Sequence, residues 1–197
     1  MFAIQTSHPT PADYLHQERK RIREIDGKYE YINGKLIFMP GASTNHNIMS
    51  GNIYALLWIE LRNRDYIICQ SDQRVHHAKA KSYLYPDVVV IPAPPQYADE
   101  MFDTVTNPQV LVEVLSESTE AYDRGEKFLI YRQMDSFREY VMVAQDKHLV
   151  EVFYKESGDT WQINTYRLED ETVHLQSLDG RLAVKDIYNK VDWSRVK

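Results

Sequence analysis

The chain has a single cysteine among 197 residues, Cys69, so no internal disulfide can form and a Cys-rich zinc site is excluded. Cys69 lies in the apolar stretch YIIC, where the expectation is a buried, inert thiol. No HExxH, no CxxC pair, no Gly-rich phosphate loop and no GxSxG elbow occurs. These absences disfavour zinc hydrolases, nucleotide hydrolases and serine esterases in turn. His76 and His77 are adjacent, and neighbouring side chains on a strand point to opposite faces, so the pair makes a poor metal grip. No apolar run approaches the roughly 20 residues needed to cross a bilayer. The opening MFAIQTSHPTPADY lacks the basic-then-apolar order of a signal peptide, so a cytoplasmic protein without membrane attachment is expected. Positive charge is also scarce: 23 Lys and Arg against 29 Asp and Glu give a formal net charge of −6. That argues against a broadly basic surface for non-specific DNA binding through counterion release, while leaving room for a local basic cleft.

What is present is a normal load for a folded soluble chain, 43% hydrophobic and 26% charged. The length suits one domain, 1–197, with one well-buried core. Thr10-Pro11-Ala12-Asp13 reads as a helix start, with Thr10 as cap, Pro11 in the first turn and Asp13 at the positive end of the dipole. A helix to about Glu24 follows, and its Arg19-Lys20-Arg21-x-Arg23 run reads as a solvated face. YEYI and KLIFM flank Asn33-Gly34, a strong hairpin signal because both turn residues tolerate positive φ. Past Pro40-Gly41, Ser43, Thr44 or Asn45 can cap a long helix over about 45–63. Segments 66–76 and 83–91, separated by AKAK, predict a second hairpin, around which Arg74, Lys79 and Lys81 are candidate groove cations. Residues 92–107, with three prolines and the acids Asp99, Glu100 and Asp103, read as a long loop, either a plain connection or a functional one. VLVEVL is a buried strand, followed by a helix over about 119–133. REYVMVA, LVEVFY, WQINTYRL and TVHLQSL then alternate as strands, and a short helix over 186–191 closes the chain. The expected fold class is α/β, built on a mixed sheet (α+β).

Two acids stand where strands should be apolar. By period-two alternation Asp87 shares a face with Tyr85, Val89 and Ile91, and Glu113 lies among the branched residues of VLVEVL. An ionised carboxylate buried without a partner is costly, and two brought together repel. Each alone could pair with a core arginine or a backbone donor. Together they favour a divalent metal, with Mg²⁺ (or Mn²⁺) the natural candidate because it takes oxygen ligands, keeps several waters and binds through one or two carboxylates plus substrate phosphate.

Pro86-Asp87, Glu113 near the end of its strand, and Ser116-x-Ser118-Thr119-x-x-x-Asp123-Arg124-x-x-Lys127 together resemble the Uma-two-type restriction endonuclease family, a branch of the PD-(D/E)XK nuclease superfamily. The segments YLHQERKRI, YEYINGKLIFMPGASTNHN, SDQRV, REYVMV and LAVKDIY extend the likeness over nearly the whole chain. The resemblance implies a restriction-endonuclease-like core with flanking helices and extra C-terminal strands. It also implies a metal-dependent endonuclease acting on DNA, in which Asp87 and Glu113 bind the metal with the carbonyl of Val114.

The superfamily pattern places a lysine two residues after the glutamate, where this chain has Leu115. In the Uma-two branch that lysine moves to the next helix, which makes Lys127 its replacement, on a flexible stem long enough to return to the metal. The alternative is an ordinary surface ion pair, since Asp123 and Lys127 stand at i and i+4, worth a few tenths of a kcal/mol. Glu30 matches an acidic family position that completes the site, or else is a solvent-facing strand residue. His46, at the start of the long helix, is a phosphate-contact candidate or a helix-end histidine bonded to backbone, and Arg124 is the second substrate-binding candidate. Cleavage of both strands of a duplex suits a C2 homodimer. Leu115 and the acidic charge keep open a nuclease-fold module with weak or no catalysis and a binding or regulatory role.

Overall fold

In the computed structural model, which describes residues 9–24 and 27–195, Thr10 and Asp13 cap the first helix reciprocally. The Asp13 amide donates to Thr10 Oγ1 and the Thr10 amide to Asp13 Oδ2, each at 3.2 Å, and α1 (Pro11–Glu24) follows as expected. Asn33 and Gly34 adopt φ of 44° and 94°, folding β1 (Lys28–Ile32) onto β2 (Lys35–Met39) with Ile32 opposite Lys35. Ser43 caps α2 (Thr44–Leu61) by accepting from the His46 amide at 3.1 Å.

The second predicted hairpin forms in two halves. β3 (Tyr66–Gln70) pairs antiparallel with β6 (Val88–Pro92), and β4 (Arg74–His77) with β5 (Ser82–Leu84). The chain breaks at 71–73 and 85–87, and each half enters a different sheet. Asp87 therefore stands in the bend before β6 and not on a continuous strand face with Tyr85, as alternation predicted. The bend is anchored by backbone: the Ser71 amide donates to the Asp87 carbonyl at 3.0 Å, and the Asp87 amide to the Val112 carbonyl at 3.1 Å.

The remaining strands are β7 (Thr104–Val105), β8 (Val110–Leu115), β9 (Glu139–Ala144), β10 (Val150–Ser157), β11 (Thr160–Tyr166), β12 (Thr172–Leu175) and β13 (Gly180–Ala183). One sheet runs β2-β1-β5-β4-β7, a second β11-β10-β9-β8-β6-β3, and β12-β13 is a separate pair. In the second sheet only β8 and β9 are parallel. Their crossover carries α3 (Glu120–Tyr122), a π-helical turn (Asp123–Lys127) and α4 (Phe128–Tyr131). The closing helix, α5 (Val184–Ile187), begins before the expected 186 and is only one turn long, because Val184 and Ile187 are drawn into the core.

Both faces of the second sheet are covered, which is why its strands read as apolar runs. Met49, Ile53, Leu57 and Leu61 of α2 pack on one face against Val88, Val90, Val110 and Val112. Tyr131, Met134 and Phe137 cover the other, against Val89, Leu111 and Leu115. Cys69 is half-buried at the edge of this second cluster, and burial pushes its thiol pKa up.

The 92–107 segment is pinned, and this corrects two readings of basic residues. Arg19 Nη2 lies 2.9 Å from Asp99 Oδ2 and 2.8 Å from Asp103 Oδ1, so part of the α1 basic run is an ion-pair clamp and not merely a solvated face. Arg74, 2% exposed, lies 2.5 Å from Asp103 Oδ2 and donates to Thr104 Oγ1 at 3.1 Å. It is a core residue, not a groove cation. Among the described residues no helix is long and apolar enough to cross a membrane.

Candidate active site

Four chain segments converge beside the break at 85–87. Alternation along β1 sends Tyr29 and Tyr31 toward α1 and Glu30 the other way, where it is fully buried. The Tyr85 amide donates to Glu30 Oε1 and the Tyr122 hydroxyl to Glu30 Oε2, both at 2.7 Å. From β8 comes Glu113, 3% exposed, whose Oε1 accepts from the Tyr131 hydroxyl at 3.3 Å. Val88 pairs with Val112 across the sheet, which seats Asp87 next to Glu113. The Val114 amide donates to Asp87 Oδ2 at 2.7 Å, and His46 Nε2 lies 3.1 Å from the same oxygen.

Lys127 is the hub. Only 1% exposed, its Nζ lies 2.8 Å from Glu113 Oε1, 3.1 Å from Glu30 Oε1 and 3.5 Å from Asp123 Oδ1. It also donates to the Tyr85 carbonyl at 3.4 Å. Asp123 and Lys127 do stand at i and i+4, but in the interior: the π turn, wider than an α turn, carries both inward.

Three carboxyls thus face one ammonium in a sealed environment. Burial opposes the Lys127 charge, yet Glu113, Glu30 and Asp123 outweigh it and raise the pKa well above the ordinary lysine value, so the ammonium is retained. Burial pushes the Glu113 carboxyl well up, with Asp123, Asp87 and Glu30 adding to it against Lys127. Asp123 is likewise raised by burial, opposed by Lys127 and by its hydrogen bond from Thr119. Burial, reinforced by Glu30 and by Glu113 respectively, keeps the Tyr122 and Tyr131 hydroxyls protonated as donors. Burial thus pushes Glu113 and Asp123 toward their neutral forms, while the neighbouring acids hold the charge on Lys127.

Asp87, Glu113, Asp123 and Lys127 line a cleft of about 750 Å³. Its walls include Ile37 and Met39 of β2, Ser43, His46 and Asn47 at the start of α2, and Ser116 and Thr119; Arg21 and Lys28 supply the other cations. Among the described residues no group of three or more His, Cys, Asp or Glu is placed to hold a metal ion. The donors that do adjoin are two carboxyls, Asp87 and Glu113, on the wall of the cleft. That set fits Mg²⁺ or Mn²⁺, which need only one or two protein carboxylates, and does not fit tetrahedral zinc.

The structure thus brings together Asp87, Glu113, Lys127, Glu30 and His46. Val114 joins them through its amide, while its carbonyl is the atom expected at the metal. Arg124 is not brought to the cleft: its Nε lies 2.7 Å from Glu120 Oε1 and its Nη2 2.5 Å from Glu151 Oε2, beside Met142. Residue by residue, it points away from Lys127 toward β9 and β10. Leu115 is sealed in the apolar cluster with Tyr140 and Met142. Sequence reasoning missed Tyr85, Tyr122 and Tyr131 as supports, and saw Asp123 only as a pairing partner. The tyrosines carry no signal beyond apolar periodicity.

The chain is similar to several known proteins. A model of the Uma2 family, described as "Putative restriction endonuclease", matches residues 11–184. Two uncharacterized proteins of Synechocystis sp. (strain ATCC 27184 / PCC 6803 / Kazusa) are similar over most of their length. One, sll1609, is 37% identical over 175 residues, 89% of this chain and 97% of its own. The other, slr1290, is 34% identical over 179 residues, 91% of this chain and 90% of its own. Among solved structures, one described as a "putative nuclease belonging to DUF820" from Anabaena variabilis ATCC 29413 superposes with a TM-score of 0.72 at 17% identity, covering 91% of this chain and 97% of that one. At that identity the likeness concerns the fold, and it bears out the expected mixed-sheet, restriction-endonuclease-like architecture.

Proposed function

Because the chain belongs to the Uma2 family, we propose that it is a metal-dependent endonuclease that hydrolyses DNA phosphodiester bonds. The observation that carries this reading is the Lys127 ammonium, held 2.8 Å from Glu113 and 3.1 Å from Glu30 at a cleft that also contains Asp87. Asp87 and Glu113, with the Val114 carbonyl, would hold Mg²⁺ or Mn²⁺, which when bound supplies Lewis-acid polarisation of the phosphate and acidifies water. Lys127 keeps its proton and meets negative charge as it develops on the phosphate. Glu30, fixed by Tyr85 and Tyr122, holds that ammonium in place. His46, at the start of α2, orients Asp87 from the cleft wall. A homodimer presenting two such clefts would cut both strands.

Purified protein should nick supercoiled plasmid DNA in Mg²⁺ or Mn²⁺, and Asp87→Ala and Lys127→Ala should each abolish nicking. Nicking that survives both substitutions overturns the site assignment. Leu115 in the position of the superfamily lysine favours a second reading, a catalytically weak binding or regulatory module. Calorimetric titration separates the two, because only the enzyme reading requires Mg²⁺ or Mn²⁺ binding that depends on Glu113.

A further inference from the structure

Both edges of the second sheet are strands without a charged residue or a proline, β3 (YIICQ) and β11 (TWQINTY). Soluble proteins guard such edges with lysine, proline or a bulge, because a row of unpaired amides and carbonyls accepts another strand. At β3 local turns do the guarding. Asp65 and Ser71 bond inward, to Ala93 and Asp87, so the even-numbered residues between them face out. Of these, the Tyr66 amide donates to the Arg64 carbonyl at 2.8 Å, and the Gln70 carbonyl accepts from the Gln73 amide at 3.0 Å.

β11 has no such closure. The Ala144 amide donates to the Leu149 carbonyl and the Lys155 amide to the Arg138 carbonyl, so odd-numbered residues of β10 bond to β9 and even-numbered ones to β11. Opposite Val150, Val152 and Tyr154 stand Tyr166, Asn164 and Gln162. The backbone groups of Trp161, Ile163 and Thr165 therefore point out of the sheet, and Ile163 is 55% exposed. This edge is complementary to itself about Ile163. In an antiparallel pairing that sets Ile163 against its own counterpart, Trp161 meets Thr165 of the partner subunit, and every outward residue meets an outward one. The same register sets Asp159, in the turn before β11, against the partner's Arg167, just after the strand, and symmetry makes the pair twice. Both residues are exposed. The one acid beside Arg167, Glu171, is occupied by the Arg167 and Leu168 amides at 2.6 and 2.7 Å. Slipping the register by two residues sets Asp159 against Thr165 or against Glu169, so only one alignment pairs the charges.

We infer that the β11 edge docks a second copy of this chain, forming a C2 homodimer in which two six-stranded sheets join into one of twelve strands. The inference stands on the sheet edge and draws nothing from the chemistry of the cleft. Sedimentation equilibrium of the full chain at high micromolar concentration should give twice the chain mass. Asp159→Arg and Arg167→Asp should each weaken the dimer about tenfold, because like charges then stand opposite at two symmetric places. The two substitutions in one chain should restore it. Ile163→Lys puts two ammonium groups together on the two-fold axis and should give a monomer with an unchanged far-ultraviolet circular dichroism spectrum. Residues facing each other as a hydrogen-bonded pair have Cα atoms about 5.5 Å apart, within disulfide reach. Ile163→Cys on a Cys69→Ser background should therefore cross-link under mild oxidation. Thr165→Cys on the same background lies four residues from its counterpart, about 14 Å along the strands, and should not. A monomeric wild type, the result expected if the edge serves a foreign strand, overturns the inference. So does a dimer indifferent to Ile163→Lys, a double charge variant without rescue, or Thr165→Cys cross-linking as readily as Ile163→Cys.

Discussion

Replacing Lys127 by methionine keeps the length and bulk of the side chain and removes only the ammonium, leaving Glu113, Glu30 and Asp123 facing one another in a sealed site. Lys127 is 1% exposed and Glu30 and Glu113 no more than 3%, so water cannot screen the uncompensated charge. Removing one partner of a buried ion pair costs about 3–5 kcal/mol. The loss should depend on pH in a definite direction. Glu113 and Asp123 are raised above their unfolded values, by burial first, so the folded state binds their protons more tightly than the unfolded one. A raised carboxyl contributes stability below its unfolded pKa, near 4, and that contribution is lost as pH rises toward the folded value. Without the lysine the folded values climb further, so the deficit of Lys127→Met should be several kcal/mol at pH 8 and distinctly smaller at pH 5. Urea denaturation followed by circular dichroism at the two pH values measures it. Mg²⁺ should restore part of the loss at pH 8, about 2.7 kcal/mol at 100 times its Kd. A deficit below about 0.5 kcal/mol at pH 8, in the range of ordinary surface substitutions, or one equal at both pH values, would refute the claim that this ammonium neutralises the buried acids.

Other consequences are open to direct measurement. Leu57→Ala removes a fully buried α2 side chain from the core against the second sheet and should cost about 2–5 kcal/mol by urea denaturation. Asp103, which Arg19 first and Arg74 after it hold at a pKa of about 2, contributes stability that is present above its unfolded pKa and lost as pH falls toward 2. Asp103→Asn should therefore lose about 1 kcal/mol at pH 7, allowing for screening of a partly exposed carboxylate, and the difference from wild type should vanish near pH 2. Asp87→Asn and Glu113→Gln should each abolish calorimetric Mg²⁺ binding while leaving the far-ultraviolet circular dichroism spectrum unchanged.

Local rules read well where local forces decide. The Thr10 cap, the Asn33-Gly34 turn and the apolar run of β8 each depend on neighbours within a few residues, and each stands as predicted. Alternation failed at Asp87 because period two holds only within one sheet, and the chain changes sheets at 85–87. The pairing of Arg19 with Asp103, 84 residues apart, has no local signature, so a solvated face was the natural reading of the basic run. At the candidate site, Asp87 and Glu113 were legible as acids out of place. The burial of Lys127 was open, since helical periodicity assumes 3.6 residues per turn and cannot register a π turn. The same turn sends Arg124 away from the cleft that the motif spacing assigned it.

That turn has a further consequence, concerned with residue number more than residue type. A π turn holds one residue more than the α turn it replaces, and each residue of an α-helix advances the phase by about 100°. Wound as α turns throughout, the same residues would pass that surplus one on down the helix, and every later side chain would swing by about that angle. The lysine would remain in the sequence and on the helix, aimed elsewhere, with Phe128 turned from Tyr140, on which it now stacks at 5.4 Å. In this chain the identity of the ammonium group is written at position 127, but its bearing is set by how many residues the turn before it holds.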